Sequence, residues 1–177
     1  MYFGCDMATI RVELPEDFDA VRELNRLAFG RDTEGRLVDL LRERGCAIVS
    51  LVAVEEARGE VIGHIFFSRI HIETPTAYVS AVSLAPMAVT PVWQRRGVGS
   101  ELVRRGLEEC RGRGETIVSV LGHAHYFPRF GFSADLAVPL AGPHAGPEWM
   151  ALELAPGALA GVSGKVRYAE AFRVVGA

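Results

Sequence analysis

The segment most suggestive of a binding site is Q-R-R-G-V-G-S, residues 94–100. Two arginines precede two glycines there, and a helix-like pattern follows. The first backbone N–H groups of a helix have no intrahelical partner, and the helix dipole favours an anion there. Gly97 and Gly99 allow tight curvature and close approach, so that successive N–H groups can converge. Arg95 and Arg96 add positive charge. The segment predicts a phosphate site, against the simpler interpretation of a glycine turn with solvated arginines.

Two common nucleotide motifs do not fit this segment. A P-loop has Lys and then Ser or Thr after its last glycine, whereas Ser100 and Glu101 stand here. A dinucleotide fingerprint has a third glycine where this chain has Leu102, and an acidic residue at the end of the next strand, which here ends at Leu121 and Gly122. A kinase or a dehydrogenase is therefore disfavoured.

Composition limits the class of protein. The chain has 177 residues, of which 49% are hydrophobic, so we expect a single domain with a buried core. The net charge of −3 argues against a nucleic-acid partner. The most apolar run, residues 46–54, is too short to cross a bilayer, and no secretory signal is visible, so no membrane partner is expected.

The cysteines and histidines give no metal signal. The three cysteines, Cys5, Cys46 and Cys110, are an odd number without close pairing, which favours a reducing, cytoplasmic compartment and small core side chains. His123 and His125 alone are a weak metal pattern, so we predict no metal. Met7 offers an alternative start, which would leave residues 1–6 as a loose extension.

Hydrophobic periodicity predicts the elements that position these residues. The order is β-α-α-β-β-β-α-β-α-β, which describes an α/β domain with a mixed sheet. Strands are predicted at 8–14, 46–54, 61–72, 78–90, 116–122 and 149–154, and helices at 15–29, at 33–44 and after Gly99. Pro86 interrupts the strand 78–90, and because it lacks a backbone donor it predicts a bulge or break, unless it is an ordinary edge-strand proline.

These segments resemble the GCN5-related N-acetyltransferase (GNAT) family, in particular its YhbS-like branch. Residues 94–99 match the Q/R-x-x-G-x-G/A pyrophosphate loop of that family, and residues 84–103 resemble its fourth strand, loop and third helix. Residues 120–132 resemble its fifth strand and fourth helix. The resemblance implies a mostly antiparallel central sheet, splayed between strands 4 and 5, with helices on both faces. It also implies an acetyltransferase domain over residues 7–154 and a tail, 155–177, packed on it.

The resemblance implies acetyl-CoA as cosubstrate. Backbone groups of the interrupted strand would pair with the pantetheine arm, and the glycine turn would hold the pyrophosphate. Arg129 would either reach a CoA phosphate or be solvated. The expected CoA contacts are Met87, Ala88, Val89, Gln94, Arg95, Arg96, Gly97, Val98, Gly99, Ser100 and Arg129.

The resemblance also suggests catalytic residues. Tyr126 occupies the family's tyrosine position, where a phenol would protonate the departing CoA thiolate; otherwise it is a core or rim aromatic. A backbone N–H around Val89 would stabilise the oxyanion. The base stays open, since residues 78–90 lack the acid that many relatives carry. Glu34 would face the acceptor, or only complement a helix dipole, and His123 is the second candidate.

We therefore expect an N-acetyltransferase that moves an acetyl group from acetyl-CoA to a primary amine of a small molecule or peptide, by direct attack in a ternary complex. A non-catalytic acyl-CoA-binding regulatory module is the alternative. The acceptor cannot be identified from the sequence. A homodimer is possible, with the tail segment 164–172 docking as a strand or helix on a partner.

Overall fold

The structure, a computed structural model, describes residues 7–176, so Cys5 and the proposed N-terminal extension lie outside the described residues. The strands are β1 (Ala8–Val12), β2 (Ala47–Glu55), β3 (Val61–Glu73), β4 (Tyr78–Val89), β5 (Ile117–Leu121), β6 (Leu140–Ala141), β7 (Trp149–Glu153) and β8 (Gly164–Arg167). The helices are α1 (Phe18–Phe29), α2 (Thr33–Glu43), α3 (Val98–Gly112), α4 (Ala134–Ala137) and α5 (Glu170–Val175).

The strands form a mixed sheet in the order β1-β2-β3-β4-β5-β7. Neighbours along this path are antiparallel except β4 and β5, which are parallel. The short strand β8 adds to β3 in antiparallel register and pairs with β6. The predicted mixed, mostly antiparallel sheet is therefore confirmed.

Strand β4 is interrupted where Pro86 predicted it. Its pairing with β3 shifts between Leu84 and Met87, so that Ala85 and Pro86 together stand opposite Phe66. Two residues against one is the definition of a β-bulge. Pairing with β5 covers only Val82 to Leu84. Beyond Leu84 the two parallel strands separate, which confirms the predicted splay and leaves one edge of β4 open.

Helices cover both faces of the sheet, because successive strand residues point to opposite sides. On one face, α3 packs Leu102, Leu107 and Cys110 against alternate residues of β2 and β3 such as Leu51 and Phe67. On the other face, α1, α2 and α5 pack against the intervening residues. This second core contains Val21, Leu37, Val38, Leu41, Val52, Phe66 and Ala171. Cys110 is a core side chain, as predicted, whereas Cys46 is only half-buried.

The segment after β5 differs from expectation. The fourth helix implied within residues 120–132 is only a 3₁₀ turn, Phe127–Phe130, and the one-turn α4 follows it. Pro128 and the left-handed Gly131, with φ of 97°, start and stop this turn, which explains why a longer helix does not form.

The tail folds onto its own chain. Strand β8 pairs with β3 through Lys165 and Glu73, and Ala171 of α5 is buried in the core with α2. Strand β8 therefore pairs within its own chain, and docking of residues 164–172 on a partner stays a prediction. Within residues 7–176, no helix combines the length and apolar character needed to cross a membrane.

Candidate active site

The predicted site residues converge on a cleft of about 1740 Å³ that enters the splay between β4 and β5. Its walls are the open part of β4, the start of α3, the turn after β5, the α1–α2 connection and α5. The predicted residues that line it are Glu34, Met87, Ala88, Val89, Gln94, Arg95, Gly97, Gly99, Ser100, His123, Tyr126 and Arg129. Arg96 and Val98 belong to the same turn but not to the cleft lining.

The glycine turn is built by two left-handed residues. Gly97 precedes α3 with φ of 90°, and Arg95 has φ of 60°, a conformation that non-glycine residues rarely adopt. Alternation of this kind points neighbouring N–H groups to one side and suits an anion. Gly99 does not contribute to this curvature, contrary to expectation, because α3 already begins at Val98.

Gly99 instead keeps space open. A Cβ atom at this position would lie 3.0 Å from the Tyr126 hydroxyl oxygen and 3.5 Å from Met87 Cε. The phenol of Tyr126 therefore points at the first turn of α3, beside the open edge of β4. The turn, the interrupted strand and the predicted acid meet at this one place.

The other turn side chains hold the loop. The Gln94 side-chain amide donates a hydrogen bond to the Val89 carbonyl at 2.9 Å, which ties the loop to the end of β4. The Arg96 guanidinium lies over the Trp93 ring, 5.3 Å from its centroid. Val98 packs its side chain into the core, so only its backbone atoms can serve a ligand.

Tyr126 is held by its neighbours. Its ring meets Phe127 edge-on at 5.1 Å and Phe130 at 5.4 Å. The Arg129 guanidinium stacks 4.1 Å from the Tyr126 ring centroid, and Arg129 Nε donates to the Tyr126 carbonyl at 3.0 Å. These contacts fix the direction of the phenol and leave the Arg129 charge beside it.

The two candidate bases differ in environment. Glu34 lies in the first turn of α2 with 7% of its surface exposed, and Arg31 Nε donates to Glu34 Oε1 at 3.0 Å. This hydrogen bond raises the pKa of Arg31, and the Arg31–Glu34 pair lies in the lining of the cleft. His123 is exposed, and its carbonyl accepts the Tyr126 N–H at 2.9 Å.

Sequence reasoning missed two groups. Tyr168 and Ser83 line the far half of the cleft, although they are distant in sequence and match no motif. His64, a residue of β3, is fully buried, with Nε2 3.0 Å from Ser50 Oγ. Burial together with the Arg42 charge lowers the pKa of His64 to about 3. Only tertiary packing identifies either group.

Comparison with known proteins gives consistent matches. A family model of the acetyltransferase (GNAT) domain matches residues 9–134. The chain is 35% identical over 165 residues to the uncharacterized N-acetyltransferase YhbS of Escherichia coli K12, covering 92% of this chain and 97% of that protein. It is 38% identical over 128 residues to the uncharacterized N-acetyltransferase YjhQ of the same organism, covering 70% and 68%.

Solved structures of GNAT family proteins are similar to this fold. The crystal structure of Escherichia coli YhbS in complex with CoA superimposes with a TM-score of 0.88 and 33% identity, covering 98% of this chain and 96% of that one. A GNAT family acetyltransferase from Brucella melitensis in complex with acetyl-CoA gives a TM-score of 0.77 and 33% identity, covering 94% and 99%.

Proposed function

Because the chain belongs to the GNAT acetyltransferase family, we propose that it transfers an acetyl group from acetyl-CoA to a primary amine of a small molecule or peptide. The amine attacks the thioester directly while both substrates are bound. In support, two relatives of similar length have been crystallised with CoA and with acetyl-CoA.

The start of α3 would bind the diphosphate of the cosubstrate. Backbone N–H groups from Gly97 to Ser100 have no helical acceptor, and the dipole of this 15-residue helix favours negative charge at that end. Arg95 lines the same part of the cleft. We expect the main chain to give the fixed geometry and the arginine to add attraction.

The open edge of β4 would guide the pantetheine arm. From Ala85 to Val89 this strand has β3 on one side and the cleft on the other. An extended arm with amide groups can pair there as an added strand. Its sulfur would then reach the splay, near the Tyr126 hydroxyl.

The chemistry requires a neutral amine and a leaving group that accepts a proton. A free lysine amine has a pKa near 10.4, so most of it is protonated at neutral pH. We propose that Glu34 receives this proton, directly or through water, since its carboxylate borders the cleft. The amine nitrogen then bonds to the acetyl carbon, and a backbone N–H around Val89 stabilises the oxyanion. As the carbon–sulfur bond breaks, Tyr126 donates its phenolic proton to the thiolate. The attacking nitrogen, which is cationic after addition, gives up its extra proton through water to the Tyr126 phenolate, which leaves a neutral amide, free CoA thiol and a neutral phenol.

The observation that supports this proposal most strongly is the position of the Tyr126 hydroxyl next to Gly99, because it places the proposed acid beside the anion-binding turn. The test is release of free CoA thiol from acetyl-CoA with a panel of amines. We expect Tyr126→Phe to lower kcat by about 100-fold, within the range for a lost general acid, while CoA affinity stays within threefold. Tyr78→Phe is the matched control, since Tyr78 is 67% exposed and lies at the other end of β4.

A non-catalytic CoA-binding module gives a different result. Strand β4 carries no acidic residue, which is the observation that favours this alternative. Tight CoA binding by the wild type without thiol release for any amine would support the module and contradict the enzyme.

A further inference from the structure

The half of the cleft nearest α1, α2 and α5 contains side chains that the proposed CoA site does not use. Phe29, Leu37 and Phe172 contribute apolar surface. Tyr168, which follows β8, and Ser83 of β4 contribute hydroxyl groups. An amine acceptor has to approach the thioester from this half if CoA occupies the α3 end.

The hydroxyl groups form a cluster where the splay begins. Ser83 pairs with Ser119 of β5 and with Ser68 of β3, so the three serines stand side by side across the sheet. All three are buried. Tyr168 and Ser83 of this row line the same cleft. Burial raises the pKa of Tyr168, and the hydroxyls of Ser83 and Ser119 lower it.

This cluster has hydrogen-bonding capacity to spare. Within residues 7–176, Ser119 Oγ and Ser68 Oγ are buried without a hydrogen-bond partner. Buried polar atoms without partners are rare in folded proteins and call for an explanation. Tyr168 and Ser83 are the members of this cluster that line the cleft, so a ligand group in the cleft reaches the cluster through these two hydroxyls.

The cluster is neutral, and both carboxylates that line this half of the cleft are already in ion pairs. Glu34 already pairs with Arg31, and Glu170 with Arg44 at 2.9 Å and with Arg173 at 2.8 Å. A second positive charge on the acceptor would therefore meet hydroxyls and apolar walls rather than an uncommitted carboxylate. Burial of such a charge is costly, whereas a neutral hydroxyl or amide is not.

We propose that Tyr168, together with Ser83, binds a neutral hydroxyl or amide group of the acceptor and thereby selects a primary amine with a largely apolar body. This inference rests on the proposed acetyl transfer. Ser83 and Met87 are four strand residues apart, a span of at most about 13 Å, so the amine reaches the splay while the other end of the molecule contacts Tyr168.

The test compares amines that differ by one hydroxyl group: hexylamine with 6-aminohexan-1-ol, and phenethylamine with tyramine. For the wild type, we expect kcat/KM to be about tenfold higher for the hydroxylated member of each pair, the effect of one good hydrogen bond. In Tyr168→Phe this ratio should fall to about one, with KM for acetyl-CoA unchanged. A ratio within one variant is not altered by a lower fraction of folded protein. Tyr78→Phe should keep the wild-type ratio.

The outcomes separate the inference from the function beneath it. Acetyl transfer with an unchanged ratio in Tyr168→Phe overturns the role of Tyr168 and leaves the acetyltransferase intact. Free lysine acting as a better acceptor than all four amines overturns the apolar class of substrate. No thiol release from the wild type with any amine, despite CoA binding, overturns both.

Discussion

The conformation of Gly97 leads to a quantitative prediction. Its φ of 90° lies in the left-handed region, and an added Cβ would meet no described atom within 4 Å. Gly97→Ala therefore changes backbone preference without a clash. For an L-residue this conformation costs roughly 1–2 kcal/mol.

We expect most of this cost to appear as weaker CoA binding. Gly97 is exposed, so in the free variant the turn can adopt a less strained conformation. CoA binding must then restore the left-handed conformation, and this cost reduces the free energy of binding. A loss of about 1–2 kcal/mol corresponds to a 5- to 30-fold higher Kd. Titration calorimetry with CoA measures Kd, and urea unfolding measures what remains as lost stability.

Gly114→Ala is the control for backbone strain. Gly114 has φ of 80° and open space around it, but it follows the opposite end of α3, away from the cleft. We expect this variant to lose stability and to bind CoA as the wild type does. A Kd for Gly97→Ala within twofold of the wild-type value would refute the claim that this turn grips CoA.

Further predictions concern three ionisable groups, His64, Glu34 and His123. His64 becomes protonated below about pH 6.5 in the unfolded chain but only near pH 3 in the folded protein. The free energy of unfolding therefore falls on acidification, by up to about 1.4 kcal/mol per pH unit between these two values. Urea unfolding at pH 6.5 and 5 should show a loss of about 1.6 kcal/mol that His64→Gln reduces; equal losses in both proteins would contradict the buried neutral imidazole. Glu34→Gln should lower kcat about 10- to 100-fold for an amine of high pKa, with KM for acetyl-CoA unchanged. His123→Ala should retain the wild-type pH–rate profile. A profile that is altered by His123→Ala but not by Glu34→Gln would show that His123, not Glu34, is the general base.

Local chemistry explains what the sequence could predict. The apolar residues of α3, including Leu102 and Cys110, recur at helical spacing. This spacing predicts both the helix and the face that it packs against the sheet. Pro86 has no backbone N–H to donate in any fold, so this one residue was enough to predict the break in β4. The family resemblance, carried by two short motifs, is confirmed by the matching family model and relatives.

Non-local contacts explain what the sequence could not. Lys165 pairs with Glu73 across more than half the chain, and no local pattern marks that register. Tyr168 reaches the cleft only because β8 is held there. The left-handed Arg95 follows from the loop closing between β4 and α3 rather than from a preference of arginine. The cytoplasmic location, the homodimer and the roles of individual site residues stay predictions.

A crystal structure of this protein with CoA tests the central claim most directly. We predict diphosphate oxygens at hydrogen-bond distance, about 2.7–3.2 Å, from the backbone nitrogens of residues 97–100, with the pantetheine arm along Ala85–Val89. A diphosphate bound elsewhere, with this turn making no main-chain contact to it, would contradict the account.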